Sequence, residues 1–235
     1  MLLLAVDTSG KQGSLALVRS DAGRCELLDL APLTGGAFSA QLIPEIARSL
    51  QRCGLAKHDL DAFAVVTGPG SFTGLRVGLA AIKGLAEILR KPIAPVSLLE
   101  AVALAAGAPG QVVAALDAGR CQAYVGITEI RQGDVALKEA LLLDRGGLLD
   151  LVQRSAPASV TTPDAALLDW LRDAAVSLCR VERPQADAIA RLGFARVLAG
   201  DVVSPEQLEA SYLRRSDAEI FASDGGRSAG PASGR

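Results

Sequence analysis

Laid on itself at an offset of 110 residues, the chain repeats a pattern: Ala5-Val6-Asp7-Thr8-Ser9-Gly10-Lys11-Gln12 falls on Ala115-Leu116-Asp117-Ala118-Gly119-Arg120-Cys121-Gln122, and Ser14 to Leu17 fall on Tyr124 to Ile127. Each copy reads as apolar strand, aspartate turn, apolar strand. The duplication predicts two similar halves meeting near Pro109-Gly110. On that reading residues 1–108 form an N-terminal lobe and 109–204 a C-terminal lobe that is a degenerate copy. Residues 205–221 return towards the first lobe, and 222–235, too poor in apolar groups to pack, form a disordered tail. A chain of 235 residues is long enough to bury roughly 70 to 75% of its unfolded surface.

In order along the chain, Leu2 to Val6 is a continuous apolar run suited to a strand covered on both faces. Ser14 to Val18 returns as a second strand and Cys25 to Leu30 as a third, so hairpin-connected strands followed by helices predict an α/β fold with mixed sheets. Phe38, Leu42, Ile46, Leu50 and Cys53 recur at helical steps. Pro44 leaves two starts open for that helix: capped by Ser39 and kinked, or beginning near Gln41, where a missing amide costs little. Ala62 to Thr67 is a fourth strand. Leu75, Leu79, Ile82, Ala86 and Leu89 make the apolar face of a second helix, which Pro92 ends. Arg76, Lys83 and Arg90 lie on another face, either solvated or turned to RNA. Ile93 to Val96 reads as a strand and Ser97-Leu98-Leu99-Glu100 as the capping box of a helix closed by Gly107. Beyond the boundary, Val135 to Leu143 reads as a strand. Ala165 to Leu171 and Pro184 to Ala199 read as helices, the latter stopped by Gly200, and Pro205 to Leu213 as a last short helix.

Between the fourth strand and the second helix lies Thr67-Gly68-Pro69-Gly70-Ser71-Phe72-Thr73-Gly74. A glycine and hydroxyl turn leading from strand to helix aims amides at an anion. It lacks the Lys-Ser/Thr of a P-loop, since Leu75 and Arg76 follow, and its glycines have the wrong final spacing for a dinucleotide fingerprint. Gly68, Gly70, Ser71, Thr73 and Gly74 therefore either bind a phosphate or cap the helix and pack closely. The small residues Gly74, Gly78 and Ala81 extend the second reading by letting another backbone approach. Asp7 and Asp117 likewise have two readings. In a cleft between similar halves they would hold water on magnesium, with Thr8, Ser9 and Gly10 meeting phosphates. Otherwise each simply forms a turn by bonding its own backbone.

The formal charge of -2 supplies no footprint for holding nucleic acid unaided, and at 3% aromatic the chain has few rings for stacking bases. Cys25, Cys53, Cys121 and Cys179 are scattered and His58 is the only histidine, so neither a zinc site nor a serine or cysteine nucleophile with a histidine base is expected. The apolar opening meets Asp7 too soon for a signal peptide and no run reaches membrane length; a soluble, cytoplasmic protein with reduced thiols is expected.

Taken together, Leu4-Ala5-Val6-Asp7-Thr8-Ser9, the run from Thr67 through Gly74 to Leu79, Asp117-Ala118 and Tyr212-Leu213-Arg214 closely resemble the bacterial TsaB family, also called YeaZ. The likeness covers residues 1 to 215 in order. It implies the actin, sugar-kinase and heat-shock ATPase fold, two ribonuclease-H-like lobes with mixed sheets. It also implies a non-catalytic subunit in forming threonylcarbamoyladenosine beside the anticodon of tRNAs that read codons beginning with adenine. The paralogous, metal-containing TsaD transfers the threonylcarbamoyl group, the ATPase TsaE joins, and tRNA is met only through the complex. No cofactor is required by the chain itself, with ATP or ADP and magnesium at the joint interface. The resemblance suggests pairing through the first two helices, at Phe38, Leu42, Ile46, Leu50, Leu75, Gly78, Leu79 and Ile82, or a homodimer when TsaD is absent. Where relatives often carry His-Ser, this chain has Phe38-Ser39, which adds apolar area to that face. The alternatives are a nucleotide-dependent transferase or ATPase, a glycoprotease-like peptidase, and a stand-alone RNA-binding protein.

Overall fold

Leu2–Asp7 is buried at every position, which a strand achieves only with cover on both faces. In the computed structural model, which describes residues 1–21 and 24–214, this strand β1 is the centre of a sheet. Around it run β2 (Gln12–Asp21), β3 (Arg24–Thr34), α1 (Phe38–Arg52), β4 (Ala62–Gly68), α2 (Phe72–Leu89), β5 (Ile93–Ser97) and α3 (Leu98–Ala105). The order is β3-β2-β1-β4-β5, with β1 antiparallel to β2 and parallel to β4. The second half repeats it: β6 (Gly110–Gly119), β7 (Gln122–Arg131), β8 (Asp134–Asp144), α4 (Arg145–Ser155), β9 (Ser159–Thr162), α5 (Ala165–Trp170), β10 (Leu178–Arg180) and α6 (Ala186–Ala199). Its sheet order is β10-β9-β6-β7-β8, with β6 antiparallel to β7 and parallel to β9. Even the irregularities recur at the same offset: the β2–β3 register shifts at Leu17/Val18 and the β7–β8 register at Ile127/Thr128. A bulge is a built feature of a strand pair, so the duplication extends to fine geometry. This is the two-lobed actin, sugar-kinase and heat-shock ATPase architecture.

One face of the first sheet is covered by α1 and α2, whose Leu42, Ile46, Leu79 and Ile82 pack on Leu4, Leu15, Leu17 and Phe63. Each such buried side chain contributes about 1.5 to 3 kcal/mol. The other face is covered by α6, which comes from the second half of the chain. A Cβ at Gly193 would lie 2.5 Å from that of Ala64, so the helix backbone rests directly on β4. Conversely α3, from the first half, packs Leu98, Leu99 and Val102 in one core with Val112 and Ala114 of the second sheet. The halves thus exchange helices, and α4 and α5 close the remaining face over Val113, Ala115 and Val125. Glu100 ties the exchange together. Beyond its capping bond from Ser97 N (3.2 Å), its carboxylate accepts two bonds from Arg196 of α6 (2.9 and 2.7 Å) and one from Leu137 N of β8 (3.4 Å).

Several sequence expectations need correction. The first long helix begins at Phe38 with no side-chain cap, and Pro44 sits inside it on the exposed side, so neither start considered for it is the real one. The third strand runs on to Thr34, because its pairing with β2 continues to Gln12. Residues 205–213 are not a helix. Ser204 N donates to Gln207 Oε1, a turn covers 205–207, and the chain continues without regular structure, with Ser211 N donating to Thr67 O. The helix α4 and the strands β9 and β10 carry little sequence signal: Gly146 and Gly147 disguise the helix start, which Asp144 caps by accepting from Gly147 N (2.8 Å), and the strands are only four and three residues long. The expected disordered tail, 222–235, and residues 215–221 lie outside the described residues.

Candidate functional site

The glycine loop and the first aspartate turn meet at the ends of β4 and β1, on the floor of a cleft of about 1390 Å³ between the lobes. Their small residues exist for this meeting. A Cβ on Gly74 would lie 2.1 Å from Thr8 O, one on Gly70 2.4 Å from Ser9 O, and one on Gly78 2.3 Å from Thr8 Oγ1. Hydrogen bonds stitch the approach: Thr8 Oγ1 donates to Gly74 O (2.8 Å), Ser71 N to Ser9 O (2.7 Å) and Gly74 N to Ser71 Oγ, which caps α2 (3.3 Å). Gly68 takes φ +143 and precedes Pro69 through a cis bond; its Cα faces Ser211 O, where a Cβ would lie 2.6 Å away.

Asp7 is 2% exposed and its Oδ1 accepts from Ser9 N (2.8 Å). Burial raises its carboxyl above the ordinary carboxylate range, with the Ser9 hydrogen bonds and the Arg183 charge pulling the other way. Asp117 makes the same bond to its own backbone, accepting from Gly119 N (2.8 Å), but it is exposed and its amide donates to Asp164 Oδ2 (2.8 Å). In both copies, then, the aspartate closes its own turn. The amides of Ser71 and Gly74 are engaged within the chain, and the spaces a Cβ would fill are taken by Thr8 and Ser9. Gly70 and Gly74 thus serve a close approach of loop to turn. Thr73 is exposed on the cleft wall. Among the described residues no three His, Cys, Asp or Glu side chains cluster as a metal ion needs, and no helix is long and apolar enough to cross a membrane.

The eight expected interface residues are a further correction. Phe38, Leu42, Ile46, Leu50, Leu75, Leu79 and Ile82 are all buried in the chain's own cores, and Gly78 faces Thr8. Phe38 in particular packs on Gly13, within 2.9 Å of where a Cβ there would be. The stripe that signals an amphipathic helix is the stripe that packs on the sheet. The outward face of the same two helices carries Ala40, Ile43 and Ala47 on α1 and Ala80, Gly84 and Ile88 on α2, with Ile43 48% and Ile88 73% exposed. Nothing lies within 4 Å of a Cβ placed on Gly84. Apolar residues lying off the core stripe were the overlooked signal.

Arginines also depart from expectation. Arg76 is no free member of a cationic stripe: its guanidinium lies 3.7 Å from the centre of the Phe72 ring and Nε donates to Tyr212 Oη (3.2 Å), while Tyr212 stacks on Phe72 at 4.7 Å. Arg90, at the far end, is the left-handed cap of α2. Arg183 and Arg214, unassigned from sequence, line the cleft.

A family model described as TsaD, tRNA N6-adenosine threonylcarbamoyltransferase, matches residues 33–144. The tRNA threonylcarbamoyladenosine biosynthesis protein TsaB of Bacillus subtilis is 34% identical over 63% of this chain, and that of Haemophilus influenzae 39% identical over 53%. The matches span 63% and 52% of those relatives' own lengths. The solved structure of YeaZ from Pseudomonas aeruginosa superposes with a TM-score of 0.72 at 27% identity, covering 90% of this chain and 100% of that one. In sequence and in fold, the chain is similar to proteins named TsaB and YeaZ.

Proposed function

We propose that this chain is a non-catalytic partner subunit that docks on a TsaD-type threonylcarbamoyltransferase and supports threonylcarbamoyl transfer to the adenosine beside the anticodon of tRNAs reading codons that begin with adenine. The observation that carries the reading is the outward face of α1 and α2. Ile43 and Ile88 stand exposed on these helices, as do Ala47, Ala80 and Gly84, whose small side chains let a partner's helices approach closely. The names of the relatives support the pathway, and the match of a TsaD model to residues 33–144 supports a partner built on the same plan. Two paralogous lobes meeting through equivalent helix pairs make a pseudo-symmetric contact, and two copies of this chain use the same face as a homodimer when the paralogue is absent. TsaE joins the assembled pair, tRNA is met only through the complex, and ATP or ADP with magnesium belongs to the joint interface.

Gly84→Arg tests the docking face. The substitution replaces an exposed helical glycine with a better helix former, so the fold is kept or slightly stabilised, by about 0.5 to 1 kcal/mol. Co-purification with a TsaD-type partner is expected to fall at least about 100-fold in affinity, as for a charge placed at an interface core. Undiminished binding would remove the α1–α2 face from the account. Gly78→Arg is the wrong probe, because it would strike Thr8 inside the chain.

A further inference from the structure

We infer that Arg183 and Arg214 form a reciprocal clasp that holds the two lobes at one fixed opening, each arginine gripping one of the two duplicated aspartate turns. Two chain segments pass between the lobes at the mouth of the cleft. One leaves the second sheet where Val181 N donates to Thr162 O and reaches the first lobe where Ala186 N donates to Ser14 Oγ. On it sits Arg183, whose Nη2 donates to Ser9 Oγ (3.3 Å) and lies 3.0 Å from where a Cβ on Gly10 would be. The guanidinium thus rests on the first aspartate turn at Ser9 and Gly10.

The second segment runs the opposite way. Val203 pairs with Ile93 on the edge of the first sheet, Leu208 is buried in the core beneath α2, Ser211 N donates to Thr67 O and Tyr212 is held by Phe72 and Arg76. So anchored, the strap delivers Arg214 to the second turn. There Nη1 donates to Ala118 O (2.9 Å), and Nη2 to Gly119 O (3.3 Å) and to Gln122 Oε1 (2.7 Å). A planar guanidinium with three acceptors on one hairpin fixes orientation as well as distance. The turns so gripped are the repeat's equivalents, Asp7 to Gly10 and Asp117 to Arg120. In a two-lobed fold the mouth of the cleft is where lobes would move apart, and both routes across it end in an arginine on a turn.

The two grips act on one degree of freedom, so releasing either loosens both turns. Hydrogen exchange on the full chain reads this directly. With Arg214→Ala, amides of Ser9 to Gln12, which Arg214 does not touch, are expected to exchange about five- to tenfold faster, along with those of Ala118 to Gln122. Arg183→Ala, which removes the guanidinium from Ser9 Oγ, is expected to speed exchange at Ala118 to Gln122 likewise. Acceleration confined to the turn whose own arginine was disturbed, or none at all, overturns the clasp. If either variant also loses protection in β1 and β4, Arg214→Lys, which keeps the charge but not the planar fork, decides by the same criterion.

Discussion

The two aspartate turns descend from one pattern and have diverged in what covers them. At the first, a glycine loop lies flat on the turn, Thr8 Oγ1 and Ser9 O are bonded to it, and Asp7 is sealed from solvent. At the second, only the six-residue helix α5 follows β9, no glycine loop returns, and Asp117 is exposed beside Asp164. The strand–turn–strand unit needs neither arrangement to fold, since each aspartate closes its turn with the same 2.8 Å bond. What the first turn gains is an anchor: it seats the N-terminal end of α2, the helix whose outward face is proposed to dock. Gly70 and Gly74 let the loop lie against that turn and so hold the start of the helix in place.

The sharpest way to break the comparison is to add one carbon to a glycine at each turn. Gly74→Ala puts a methyl 2.1 Å from Thr8 O, a backbone atom that cannot rotate away, and is expected to destabilise the chain by about 3 kcal/mol or more in urea unfolding. Gly119→Ala meets nothing within 4 Å and incurs only the strain of its left-handed φ of +68, about 1 kcal/mol. Equal losses at the two sites would mean that the glycine loop is not the rigid contact described here. Next in size is Thr8→Val, which keeps the shape but removes the hydrogen bond from Thr8 Oγ1 to Gly74 O; a loss of about 1 kcal/mol is expected from the same unfolding measurement.

The smallest effect concerns charge. Because burial raises Asp7 in the folded chain above its value of about 3.9 when unfolded, the folded state holds the extra proton between the two values. Ionised Asp7 therefore costs stability above the folded value, and the cost is relieved as pH falls through it. Asp7→Asn retains an oxygen for Ser9 N and is expected to raise Tm at pH 7 by about 2 to 4 °C, a gain that shrinks on acidification. Asp117→Asn, at an exposed turn, is expected to leave Tm at pH 7 within about 1 °C. A fall in Tm for the first variant at pH 7 would show that the ionised carboxylate is needed for folding.

Much of this architecture is legible in the sequence, and the reasons are physical. A repeat at one offset carries sheet order and even the bulge at Leu17/Val18 into its copy at Ile127/Thr128, because register follows from alternating burial. Two things are hidden. Periodicity marks the side of a helix that is buried, and on α1 and α2 that burial is against the chain's own sheet; the outward Ile43 and Ile88 break the pattern and so read as noise. The other is partnership across the fold. Arg183 and Arg196 are ordinary charged residues in sequence and Arg214 is marked there only as part of a resemblance; the crossing of chain segments between lobes gives them Ser9, Glu100 and Ala118. The face-on match of glycine loop to turn is intermediate: the small residues point to a close approach, and only the fold says that Thr8 makes it.

The central claim, a docking subunit whose own aspartate turns are structural, is tested most directly by reconstituting threonylcarbamoyl transfer to tRNA with a TsaD-type enzyme and this chain carrying either Asp7→Asn with Asp117→Asn or Gly84→Arg. The account predicts that the double aspartate variant supports modification at the wild-type rate, whereas Gly84→Arg lowers it to that of the enzyme without this chain. Loss of modification in the aspartate variant while it still binds its partner, with full support from Gly84→Arg, would contradict it and place chemistry in the cleft.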